Sequence, residues 1–211
     1  MNRVGLTLAN ARALGLFAAS DATVDAAITF SSNFAFDFNP ADGITAGQFD
    51  FIGVAAHELG HALGFVSGVD DIDFFNGSNP GSDFSSNVLD LFRYSNASRL
   101  VGLGVSDYSA DGRNKYFSVD GGTTGIADFA TGVTFGDGRQ ASHWKDNLGI
   151  GIMDPTASPG ELLTISATDL RALDVIGYAL VPTAVPEPSS LALLGLGAMG
   201  WVWRRSRTRR L

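Results

Sequence analysis

The sequence predicts an α+β domain followed by a separate tail, and three observations carry that reading. Apolar and polar residues alternate with period two across Ala27-Ile28-Thr29-Phe30 and Asn33-Phe34-Ala35-Phe36-Asp37-Phe38, as half-buried strands require. Residues 48–65 are apolar, contain glycine and lack proline, which suits a buried helix. Ser166, followed by Asp169, forms a capping-box variant that opens another helix through Ile176.

In chain order, residues 4–19 carry helical apolar spacing and read as a surface helix, because Arg12 interrupts the run a signal peptide would need. The alternating strands follow, broken by Pro40 and Gly43. The helix of residues 48–65 ends near Gly64, where a left-handed residue would turn the chain away. Residues 69–84 are acidic and turn-rich and read as a solvated loop. They lack the regular ligand spacing of a calcium loop, so a calcium ion there has no support. Ser86 or Asn87 caps a short helix over residues 88–93. Residues 100–140 read as short strands and glycine turns, with Lys115-Tyr116-Phe117-Ser118-Val119 preceding Asp120-Gly121-Gly122. No internal repeat is present.

Composition narrows the function. The chain has 211 residues, 45% hydrophobic and 17% charged, enough for one globular domain with a real core. Its net charge of −8 is unevenly spread, since Arg204, Arg205, Arg207, Arg209 and Arg210 crowd the end. Up to Pro186 there are 9 basic and 21 acidic residues, a balance of −12, which argues against a nucleic-acid partner. There is no cysteine, so neither disulfides nor a thiolate metal site can form.

The chemistry sits in His57-Glu58-Leu59-Gly60-His61. With three histidines and three glutamates in the chain, chance yields this pattern fewer than roughly one time in a thousand. Residues four apart share a helix face, so both imidazoles can reach one ion, with Glu58 placed to deprotonate a water. That is the signature of a zinc hydrolase, and a peptidase above all. Catalytic zinc takes three protein ligands and keeps one position open. Candidates for the third are His143, Asp70, Asp71 and Glu161. His143 is favoured, because neutral imidazole binds zinc well and no other histidine remains.

Ser142-His143-Trp144-Lys145 followed by Ile152-Met153-Asp154-Pro155 resembles the leishmanolysin-type branch of the metzincins. That family has His-Glu-x-x-His, a glycine turn, a long insertion, and a third histidine in a His-Trp context before a methionine turn. His57, Glu58, His61, Gly64, His143 and Met153 match those positions. The segments from Ile165 to Leu170 and from Leu173 to Tyr178 are similar to the family's closing helix, so the likeness covers roughly residues 48–180. It implies an α/β metzincin-like fold: a twisted sheet, a zinc-binding helix, and a loop-rich C-terminal part with a Met turn. It further implies His57, His61 and His143 on one Zn²⁺, Glu58 as general base, and Gly64 and Met153 in support. The chain departs from the family in having no disulfides and only 56 residues before His57, with no evident export signal; a truncated product or fragment is expected.

Residues 1–182 thus read as the protease-like domain and 183–211 as the tail. The tail runs Val185-Pro186-Glu187-Pro188, a 13-residue apolar run at 191–203, then arginines. It resembles the PEP-CTERM sorting signal of Gram-negative bacteria. The likeness implies export, recognition by an exosortase-type enzyme, and transient inner-membrane anchoring through a short helix at 191–203. Release would then be periplasmic, cell-surface or extracellular. The expected function is zinc-dependent endoproteolysis of a peptide or protein substrate. The rival is a surface or matrix binding protein that keeps the fold with weak catalysis, which an intact Glu58 disfavours.

Overall fold

The computed structural model describes residues 3–18, 21–76 and 85–180. The chain divides into two units, Met1–Tyr178 and Ala179–Leu211. The membrane helix expected at 191–203 lies outside the described residues. Among the described residues, no helix is long and apolar enough to cross a membrane.

At the amino terminus, β1 (Val4–Gly5) leads into α1 (Leu8–Ala13), which is shorter than the expected surface helix. The Thr7 hydroxyl caps it by accepting from the Asn10 N–H at 3.1 Å. Arg12 ends the helix facing outward, donating to Asp25 at 2.6 Å and to the Thr23 carbonyl at 2.8 Å.

Of the two expected strands, only β2 (Phe36–Asp37) forms; residues 27–30 join no ladder. The alternating phenylalanines share a face, but they use it to pack rings. Phe30 and Phe38 meet Phe51 at 5.0 and 4.7 Å, and Phe34 meets Phe49 at 5.7 Å. Alternation reports which side chains lie together; a strand also needs a partner for its backbone. For β2 that partner is β3 (Phe49–Asp50), parallel, with Phe36 opposite Phe49.

Because β3 takes Phe49 and Asp50, α2 (Phe51–Leu63) starts three residues later than its apolar run. The helix is not buried as expected: Ile52 and Leu59 are 51% and 53% exposed. The acidic stretch begins with α3 (Val69–Asp71) and a π-helical turn, Ile72–Asn76. Through its described part it is anchored, not solvated. Asp73 is buried and accepts the Thr134 and Phe135 N–H groups at 2.8 Å each.

Next, β4 (Ser86–Asn87) pairs in parallel with β1. A 3-10 turn over Val88–Phe92 replaces the expected short helix. Then come β5 (Arg93–Tyr94), α4 (Asn96–Val101), β6 (Lys115–Phe117) and β7 (Ala127–Phe129). Strands β5, β6 and β7 form an antiparallel sheet in that order, with Tyr94 opposite Tyr116 and Tyr116 opposite Asp128. Last is α5 (Ala167–Val175), where Ser166 and Asp169 form the expected reciprocal cap. The result is a mixed α/β fold with three small separate ladders. The single twisted sheet implied by the resemblance is not present among the described residues.

The main core joins Phe65, Leu89, Phe117, Phe129, Trp144, Met153 and Ile176. Trp144 stacks on Phe129 at 4.9 Å and meets Phe65 edge-on at the same distance. Burying each such side chain stabilises the fold by about 1.5–3 kcal/mol. Trp144 follows His143 and Met153 underlies α2, so the core is also the platform of the site.

Candidate metal centre

Three glycine and capping features bring the helix histidines into place. Asp50 caps α2 by accepting the Gly53 N–H at 2.9 Å, and its other oxygen accepts the Leu163 N–H at 3.1 Å. Gly60 lies against Met153, where a Cβ would come within 2.4 Å of the sulfur. Gly64 closes the helix at φ 116°, a conformation that favours glycine. That reversal returns the Phe65 carbonyl over the helix end, where it meets His61 Nδ1 at 2.8 Å.

The other two rings are held in the same way. His57 Nδ1 donates to the Ile152 carbonyl at 2.8 Å, and His143 Nδ1 to the Gln140 carbonyl at 3.2 Å. Each Nδ1 thus carries the proton and each Nε2 is left with a lone pair. The three Nε2 atoms form a near-equilateral triangle, 3.1 Å (His57–His61), 3.2 Å (His61–His143) and 3.3 Å (His143–His57). Ligands bound at about 2.0–2.1 Å around a tetrahedral ion stand about 3.3–3.4 Å apart, so the donor set fits zinc. With all three Nδ1 atoms protonated, the Nε2 atoms have no proton to share. Three facing lone pairs repel unless a cation lies between them. Burial, followed by repulsion from His61 and His57, holds His143 down to about 3. Burial also lowers His61. Both imidazoles are therefore neutral at physiological pH, the form a metal ligand needs. Among the described residues, these three histidines are the group able to hold a metal ion.

His143 comes from a loop, and its neighbours fix it. The Ala130 N–H donates to the His143 carbonyl at 3.0 Å, and the Trp144 N–H to the Met153 carbonyl at 2.9 Å. The Trp144 indole donates to Asp169 at 2.8 Å, and Asp169 also accepts the Ile152 N–H at 2.8 Å. One carboxylate of α5 therefore ties the third histidine's neighbour to the methionine turn.

Two of the three carboxylates that rival His143, Asp70 and Glu161, are hydrogen-bonded elsewhere. Asp70 accepts the Ala141 N–H at 2.6 Å, the Ser142 N–H at 3.1 Å and the Ser142 hydroxyl. Burial raises its pKa despite these donors. Asp71 is exposed, and Glu161 accepts the Ser158 N–H at 2.8 Å. Ser67, three residues past Gly64, donates its N–H to Ser142 Oγ at 2.8 Å. Its hydroxyl donates to Asp90 at 2.5 Å. Buried Arg93 adds bonds to the Ala130 and Ala141 carbonyls at 2.5 and 3.3 Å. Asp70 is legible in the sequence only as a possible ligand, and the supporting roles of Ser67, Asp90, Arg93 and Asp169 are not legible, because no local pattern marks a side chain whose partners lie far along the chain. The doubled Asp70-Asp71 was the nearest signal.

Glu58 follows His57 on α2 and lines with it a cavity of about 170 Å³ that also includes Val54, Ile152, Asp154 and Leu163.

The fold and centre define a mixed α/β protein with a three-histidine cluster able to hold a metal ion. Beyond the domain, residues 184–207 match the PEP-CTERM protein-sorting motif. The motif implies export, membrane-associated sorting in Gram-negative bacteria, and recognition by an exosortase-type enzyme. No curated protein and no solved structure matches the chain.

Proposed function

We propose that this domain is a zinc-dependent endopeptidase of leishmanolysin-like metzincin type. The observation that carries the reading is the convergence of three Nε2 atoms whose rings are each tethered through Nδ1. When bound, zinc would supply a water acidic enough to attack near neutral pH and would polarise the scissile carbonyl. Glu58 shares the cleft with His57 and accepts the proton of the attacking water. It returns that proton to the amine nitrogen as the C–N bond breaks. Met153 and Gly60 form the floor that keeps the helix histidines in register. A binding protein would need the histidines but not Glu58, so the intact glutamate favours catalysis.

The test is metal analysis of the purified full-length chain, paired with casein digestion with and without chelator. One zinc per chain and digestion that chelator stops and zinc restores are expected. Zinc-loaded protein that leaves casein and a peptide library intact would return the chain to the binding-protein reading.

A further inference from the structure

We propose that the cleft beside His57 and Glu58 selects a cationic side chain of the substrate, and that Asp154 is the residue that recognises it. This rests on the peptidase reading and names its substrate class. The cleft has apolar walls from Val54, Ile152, Pro155 and Leu163. Asp154 lines the same cavity. One oxygen, Oδ1, accepts from the Thr156 N–H at 3.2 Å and lies 3.2 Å from the Thr156 hydroxyl, which stands closer to Asp146 at 2.9 Å. Its second oxygen has no hydrogen-bond partner among the described residues, and Asp154 is in no ion pair with a described basic residue. Arg139 is instead paired with Asp146 at 2.8 Å.

The surroundings add negative charge. Burial, with the like charges of Asp146 and Glu161 after it, raises the Asp154 pKa. Glu58 contributes a further carboxylate to the cleft. An apolar-walled pocket with an unpaired carboxylate matches a lysine or arginine side chain, whose aliphatic stem packs while its head keeps a charged partner. The domain's balance of 9 basic against 21 acidic residues up to Pro186 favours approach of the same cations. A purely aliphatic substrate side chain would fill the walls but leave the free Asp154 oxygen unmatched.

The test uses zinc-loaded full-length protein and peptides acetylated and amidated at their ends, so that a free terminal amine cannot supply the charge. Lysine, norleucine or glutamate is placed in turn at each position around the scissile bond. At one position, wild type should show kcat/KM for lysine above norleucine by roughly tenfold, with glutamate lowest. In Asp154→Asn, which keeps an acceptor for Thr156, that ratio should fall to near one. The ratio is the readout because a general loss of activity does not alter it. Equal cleavage of lysine and norleucine peptides by wild type, or a tenfold preference retained in Asp154→Asn, overturns the proposal. If wild type cleaves no peptide, the peptidase reading falls. Fluorescence-anisotropy binding of the same labelled peptides then decides the cleft: tighter lysine binding lost in Asp154→Asn supports it, and equal binding overturns it.

Discussion

Met153 lies directly on Gly60, so close that a β-carbon on the glycine would stand 2.4 Å from the methionine sulfur. The glycine sits between His57 and His61 in sequence, and the preceding carbonyl of the methionine turn, from Ile152, orients His57. The turn therefore supports the helix at its histidine face through one contact and one hydrogen bond.

Gly60→Ala should therefore separate α2 from the turn, although alanine is the better helix former. Overpacking of this kind costs about 1–3 kcal/mol. A lower melting temperature and reduced zinc retention are expected together. An alanine variant that melts and binds zinc like wild type would mean that the contact is not tight in solution.

Glu58→Gln should bind zinc normally and lose hydrolysis by roughly 10²–10⁴-fold, because the amide is nearly isosteric but takes no proton. Zinc content by mass spectrometry and casein turnover are measured on the same preparation. Wild-type turnover in the variant would exclude Glu58 as the base.

Zinc retention should also rank the candidates for the third ligand. His143→Ala should lose most of its zinc, and Asp71→Ala should not differ from wild type, since Asp71 is exposed. Asp70→Ala should fall between them: Asp70 is not among the clustered histidines, but it holds the Ala141 and Ser142 N–H groups next to His143. On sequence alone Asp70→Ala would be expected to leave zinc near normal; the observed hydrogen bonds change that expectation. Equal zinc content in His143→Ala and wild type would remove the three-histidine centre altogether.

Asp120 is held down to about 2 by the Thr124 N–H and then the Ser118 hydroxyl. Its folded value lies below the ordinary value of about 4, so its contribution to stability is present above pH of about 4. That contribution is lost as pH falls from there through about 2. Carboxyl NMR titration should place the Asp120 midpoint well below the ordinary aspartate value of about 4, and Ser118→Ala should raise it. A wild-type midpoint near 4 would show that these hydrogen bonds do not persist in solution.

Features whose physics is local are legible in the order of residues. The His57–His61 spacing, the closure of α2 at Gly64 and the Ser166–Asp169 cap all depend on residues within four positions of one another. The Val185-Pro186-Glu187-Pro188 tail is equally local, a motif read as a linear string. Packing of the whole domain fixed what depends on distant partners. It drew Phe49 and Asp50 into a ladder with β2, left residues 27–30 unpaired, and split the sheet into three ladders. It also turned Asp70 from a possible ligand into the clamp on Ser142, and carried His143 across 82 positions to His61. A helix satisfies its backbone within itself, so its signal is written nearby. A strand or a loop ligand is satisfied only by a partner elsewhere, and the competition among such partners is settled by the packed core around Trp144 and Met153.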